Sequence, residues 1–175
     1  MKKMLLSLWM LLGGCAVAPP SGVTPITDFE LDRYLGKWYE IARLDHSFER
    51  GLSNVSATYD LRADGGVKVL NRGYDDRAGV WKEAEGRAYF TGESTVGSLK
   101  VSFFGPFYGG YHIVALDRAN YSHALVSGPS RDYLWILART RSVPPAVLED
   151  LLKQAKALGF ATDRLILVKQ DRDDA

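Results

Sequence analysis

Cysteine is almost absent from this 175-residue chain, and Cys15 is the only one. One thiol makes no internal disulfide, which excludes the disulfide scaffolds of small secreted domains. Histidine is scarce as well. No two of His46, His112 and His123 are spaced as metal ligands on a strand or helix, so no metal site is expected. Charge of one sign is missing: 22 Lys and Arg stand against 21 Asp and Glu. The basic residues are scattered, which excludes the basic stripe of a nucleic-acid binder. No apolar run is long enough to span a bilayer as a helix. Gly105, Gly109 and Gly110 lack the lysine and helix of a phosphate loop, and no serine sits in a nucleophile elbow. Asp60, Asp64, Asp75 and Asp76 read as solvated turn residues. What remains is 46% hydrophobic and 25% charged, an ordinary globular balance with enough length for a real core.

The N-terminus reads separately. Lys2 and Lys3 precede an apolar stretch from Met4 to Leu12, interrupted only by Ser7, and Gly13 and Gly14 supply small residues for cleavage. This is the layout of a secretory signal peptide, residues 1–14. Leu12-Gly13-Gly14-Cys15 resembles the bacterial lipobox, which implies lipid attachment at Cys15 and a membrane partner through its acyl chains. Two or more chains, at about 0.8 kcal/mol per buried CH₂, anchor stably where one is marginal. Ala16 rather than Asp follows the cysteine, which by resemblance to sorted lipoproteins implies the outer membrane, with the domain facing the periplasm. Residues 15–27, rich in proline, read as a lipidated and flexible tether reaching roughly 40 Å when extended.

From residue 36 the pattern is short alternating runs broken by turn residues. Strands are expected near 37–45, 53–62, 66–74, 80–90, 98–104, 109–117, 121–128 and 133–139. Closely spaced strands with hairpin-like links predict an antiparallel up-and-down barrel or a sandwich. Pro144 and Pro145 then open an amphipathic helix carrying Val147, Leu148, Leu151, Leu152, Ala155 and Leu158, with Gly159 at its cap. Its single apolar face predicts packing on the outside of the sheet. Leu165–Val168 could add a short final strand, and 172–175 is a tail.

Gly36-Lys37-Trp38-Tyr39 matches the G-x-W-Y motif that opens lipocalins. Asp117 followed by Tyr121 resembles the second lipocalin motif with looser spacing and without its threonine, and Arg139 matches the arginine of the third. Trp38–Arg43, Phe103–Tyr111 and Asp132–Leu137 resemble the bacterial outer-membrane lipocalins related to apolipoprotein D. The resemblance spans roughly residues 28 to 169 of a domain read as 28–171. It implies an all-β fold: an eight-stranded up-and-down antiparallel β-barrel with one C-terminal α-helix and a short final strand. Gly36, Trp38, Tyr39, Asp117 and Arg139 are structural in this reading. An indole is large enough to plug the closed end, and a guanidinium stacked on it gains about 0.5–2 kcal/mol.

Alternation from Trp38, guided by the resemblance, places a set of side chains inside. They are Glu40, Ala42, Ala57, Tyr59, Val69, Asn71, Ala88, Phe90, Val101, Phe103, Tyr111, Ile113, Val126, Tyr133 and Trp135, with Gly86, Ala115 and Leu137 in the same parity. Small residues between aromatic walls leave volume open, and a mostly apolar lining with a few polar groups is a ligand pocket. The alternative is that these positions pack a solid core. The same parity puts Arg43 and Arg72 on the outer face, which leaves Glu40 to Tyr or Asn partners or to a cation at the mouth. The expected function is storage or transport of a small hydrophobic ligand, a fatty acid or lysophospholipid, without a cofactor. With Cys15 in the lipobox, cysteine-based lipocalin catalysis is excluded, and no other catalytic residues emerge. A lipid-modifying enzyme and a structural envelope lipoprotein with a filled barrel are the alternatives.

Overall fold

The computed structural model of the protein describes residues 17–173; the signal segment and Cys15 lie outside the described residues. A four-residue helix α1 (Leu31–Tyr34) precedes eight strands: β1 (Gly36–Arg43), β2 (Leu52–Leu61), β3 (Val67–Asp75), β4 (Val80–Phe90), β5 (Ser98–Phe104), β6 (Phe107–Leu116), β7 (His123–Ser127) and β8 (Leu134–Ala138). Helix α2 (Pro145–Ala157) and strand β9 (Ile166–Leu167) follow. Each strand pairs antiparallel with the next, and β1 pairs with both β8 and β2, so the sheet closes. Closure leaves no edge within the eight, and β9 joins outside β1. The expected barrel, helix and final strand are therefore all present.

Turn chemistry fixes the hairpins. Asp64 accepts the Gly66 amide between β2 and β3, and Asp75 accepts the Arg77 and Ala78 amides between β3 and β4. Helix α2 starts with Pro145 in its first turn and stops at Gly159, whose φ of +84° a side chain would resist. There the Gly159 amide bonds the Lys156 carbonyl and the Phe160 amide bonds the Ala155 carbonyl, the paired bonds of a Schellman cap.

The barrel wall separates two apolar cores. One fills the barrel, around Trp38, Tyr59, Val69, Leu99, Ile113 and Val126. The other lies between the outer wall and α2, where Leu151, Ala155 and Phe160 cover Ile41, Leu125, Ile136 and Ala138.

The pairing register shifts at four places, and at two of them simple alternation misplaces residues expected inside. Across β1 and β8, Glu40 faces Leu137 but Ala42 faces Ile136, so Ile41 is an extra residue. Ala42, expected inside, consequently joins the outer core under α2. Across β6 and β7, Ile113 faces Val126 while Ala115 faces Leu125, and Val114 is the extra residue. Ala115 is likewise outside, and Leu116 turns in.

The tether reading of residues 15–27 also needs correction. From Val17 on, the chain is a strap laid along the barrel. Val23 is buried in the outer core, and the Ile26 amide and carbonyl bond Ile113 and Gly97. Arg131 holds the Ser21 carbonyl at 2.7 Å while its Nε holds the Leu158 carbonyl. Proline discourages regular structure here without preventing docking, because Val23 and Ile26 still have apolar side chains to bury.

Candidate functional site: a barrel cavity with a charged mouth

The closed end is built from the N-terminal residues and β1. Trp38 is fully buried and donates its indole N–H to the Tyr34 carbonyl at 2.8 Å. The Arg139 guanidinium stacks 4.0 Å above the indole and donates to the carbonyls of Arg33, Lys37 and Tyr121. One cation thereby satisfies three carbonyls while covering the plug. Gly36 has φ +91°, and a Cβ there would stand 3.4 Å from the Arg139 guanidinium. Asp117 ties the β6–β7 turn by accepting from Ser122 Oγ and the Ala119 and Asn120 amides. The Ser122 bond, with the backbone amides, holds its carboxyl below the usual value. Tyr39 faces out beside the second core, with Lys37 and Arg141 over its ring.

Above this floor a cavity opens toward the mouth of the barrel. Of the residues expected inside, Glu40, Ala57, Tyr59, Val69, Asn71, Ala88, Val101, Phe103, Tyr111 and Trp135 line it. Phe90, Ile113 and Val126 belong to the packed inner core but do not line the cavity, and Tyr133 stands at the rim, stacked on Trp135 and Phe48. Gly86 makes room for Phe103, since a Cβ there would meet that ring at 2.8 Å.

Besides Asn71 and Ser56, two clusters of polar side chains interrupt the apolar lining. Deep in the barrel, Tyr111 Oη lies 2.7 Å from Tyr34 Oη and 2.9 Å from Tyr59 Oη. Burial pushes all three phenols above their ordinary value, so the chain of hydroxyls is neutral.

The second group lies toward the mouth and follows from the bulge at Ile41. The extra residue returns Arg43 to the inner face, opposite Trp135. Arg43 was expected outside; instead it is buried and donates to Glu40 Oε1 at 2.7 Å. Its other terminal nitrogen donates to the carbonyls of Glu49 and Leu52, at 3.0 Å each, which fixes the β1–β2 loop. Trp135 donates its indole N–H to Glu49 Oε2 at 3.1 Å, and His46 Nε2 lies 3.0 Å from the same oxygen. Burial, reinforced by the negative charge of Glu49, pushes the Glu40 carboxyl well up despite Arg43. Burial also works against Glu49, but His46, Trp135 and Arg43 outweigh it and hold that carboxyl low. Phe48 stacks on His46 and is 59% exposed, so the rim is aromatic as well as charged.

Alternation alone missed Arg43, and the loop and N-terminal residues Phe29, Leu31, Tyr34, His46, Phe48 and Glu49 lay outside the strands it addresses. Among the described residues no cluster of His, Cys, Asp and Glu is arranged to hold a metal ion.

The lipocalin-like domain model matches residues 29–170. The chain is a lipocalin. It is 60% identical over 161 residues to the outer membrane lipoprotein Blc of Vibrio cholerae, covering 92% of this chain and 94% of that one. It is 57% identical over 152 residues to the protein of that name from Escherichia coli K12, covering 87% and 85%. Rat apolipoprotein D is 34% identical over 149 residues, covering 78% and 72%. Among solved structures, tobacco hornworm insecticyanin superposes with a TM-score of 0.70 at 22% identity, covering 92% and 91%, a likeness of fold. The bacterial lipocalins named above thus share most of this lipocalin's length.

Proposed function

We propose that this lipocalin is a lipid-anchored outer-membrane protein that stores or carries one amphiphilic lipid, a fatty acid or lysophospholipid, in the cell envelope. The observation that carries the reading is the apolar cavity leading to a mouth of fixed charges and aromatic faces. An acyl chain suits Val69, Ala88, Leu99 and Val101, because their burial against hydrocarbon removes apolar surface from water. The polar head then belongs at the mouth.

Between the two lipid classes, the charges favour the lysophospholipid. Arg43 already serves Glu40 and two carbonyls, while Glu49 is ionised beside Trp135 and Phe48. A bare fatty-acid carboxylate would face the Glu49 charge. The ammonium of a zwitterionic head would instead pair with it and lie against the aromatic faces. The apolar cavity and its charged mouth support binding over catalysis.

Two experiments test this reading. Titration of Trp fluorescence with lysophosphatidylethanolamine and with a fatty acid of equal chain length should saturate for both, more tightly for the former. No saturable quenching by either lipid would overturn the ligand assignment. Cys15→Ser should move the protein from the membrane to the soluble fraction, and unchanged retention would overturn the anchor.

A further inference from the structure

Large apolar side chains that water reaches are unevenly distributed over this barrel. Phe104 is 82% exposed and Phe107 66%, both at the tip of the β5–β6 hairpin. Phe48 on the β1–β2 loop and Val80 on the β3–β4 hairpin are about half exposed. All four lie at the open end, Phe48 in a loop and the others at strand ends beside the turns. Among the described residues Leu61 is exposed at the closed end, and Ile166 and Leu167 are exposed on β9, on the flank beside β1. Clustered exposed aromatics mark an interaction surface, and phenyl rings at a membrane interface leave water for the acyl boundary. Cationic side chains flank the hairpin: a Cβ on Gly105 would lie 3.2 Å from Arg87, and Lys100 lies 5.1 Å over the Tyr108 ring.

The strap shows what covers this end. Val17 is docked over β6, where a Cβ on Gly110 would lie 2.9 Å from its carbonyl oxygen. Gly110 is three residues from Phe107, about 10 Å along a strand, and Cys15 is two residues before Val17, at most about 7 Å of chain. The far end of β6, at Leu116, is six residues the other way, about 20 Å. A lipid on Cys15 would therefore enter the bilayer on the side of the molecule that carries Phe104 and Phe107.

We propose that the barrel docks mouth-down on the bilayer, with the β5–β6 hairpin seated among the lipids and Arg87 and Lys100 at the phosphates. Ligand then passes between membrane and cavity without crossing bulk water. This rests on the reading of Cys15 as the lipid anchor, and the test separates the two.

With Cys15 acylated, an added cysteine is the one free thiol. Phe104→Cys and, at the closed end, Ser94→Cys would each carry a nitroxide on the mature lipidated protein. The host would be vesicles of phosphatidylethanolamine and phosphatidylglycerol. The label at 104 should collide with oxygen and be shielded from an aqueous nickel chelate, and the label at 94 should show the reverse. Sedimentation with the vesicles and equal chelate access at both sites would overturn the docking and leave the anchor standing. Failure to sediment would overturn both. The Phe104→Ser/Phe107→Ser double variant should bind a fluorescent lysophospholipid in solution as the parent does but extract it from vesicles several-fold more slowly. Unchanged extraction would contradict the docking.

Discussion

Replacing Arg43 by methionine removes the one cation that faces Glu40 inside the barrel wall, and it keeps most of the side-chain volume. Both residues are almost fully buried, and Arg43 makes three bonds, to Glu40 and to the carbonyls of Glu49 and Leu52. Breaking a buried ion pair by deleting one partner costs about 3–5 kcal/mol, because the remaining charge has neither water nor counter-ion. The cost should depend on pH in a defined direction. Burial already raises the Glu40 carboxyl above its ordinary value, and Arg43 opposes that rise. Without Arg43 it rises further, so the folded state binds a proton that the unfolded state has released. Stability from this group is full below the ordinary carboxylate value and declines as pH climbs through the folded value. The deficit of Arg43→Met should therefore be larger at pH 8 than at pH 5. The Glu40→Leu/Arg43→Met double variant, which removes both charges, should recover most of it. Urea unfolding followed by tryptophan fluorescence measures all of these. A loss under about 1 kcal/mol at pH 8, or a double variant no better than the single, would refute the buried pair as described.

Trp38→Ala should cost about 3–5 kcal/mol in the same assay, since it opens the floor and leaves Arg139 without its ring; equal stability would deny the plug. Trp135→Ala should weaken lysophospholipid binding while the protein keeps its far-ultraviolet circular dichroism and a cooperative melt, and wild-type affinity would remove Trp135 from the head-group site. A chain beginning at residue 28 should be less stable than one beginning at 17. Burial of Val23 alone contributes about 1.5–3 kcal/mol, and two Ile26 backbone bonds go with it. Identical melting temperatures would mean that the strap is not docked in solution.

The barrel was legible because its signals are local and repeated. Turn residues such as Asp64 and Asp75 mark the hairpins, alternation marks the strands, and the Pro145 start and Gly159 stop mark the helix. Most of the lining was legible too, since one inward residue fixes its neighbours until the register shifts. The bulges at Ile41 and Val114 are where that rule ends. A bulge arises from the pairing of two strands, so neither strand's sequence announces it, and each reverses everything beyond it. Ala42 moved out and Arg43 moved in for that reason. The strap was hidden differently, because its prolines describe local backbone preference while its docking depends on surfaces far along the chain. Val23 and Ile26, apolar and spaced apart in a supposed linker, were the available clue.

One amphiphilic lipid is expected to occupy the barrel. Native mass spectrometry of the purified protein with lysophosphatidylethanolamine tests it most directly. The expected result is a single saturable adduct of one lipid per chain, weakened by Trp135→Ala and unaffected by Cys15→Ser. No adduct, or non-saturating multiple adducts unchanged by Trp135→Ala, would contradict it.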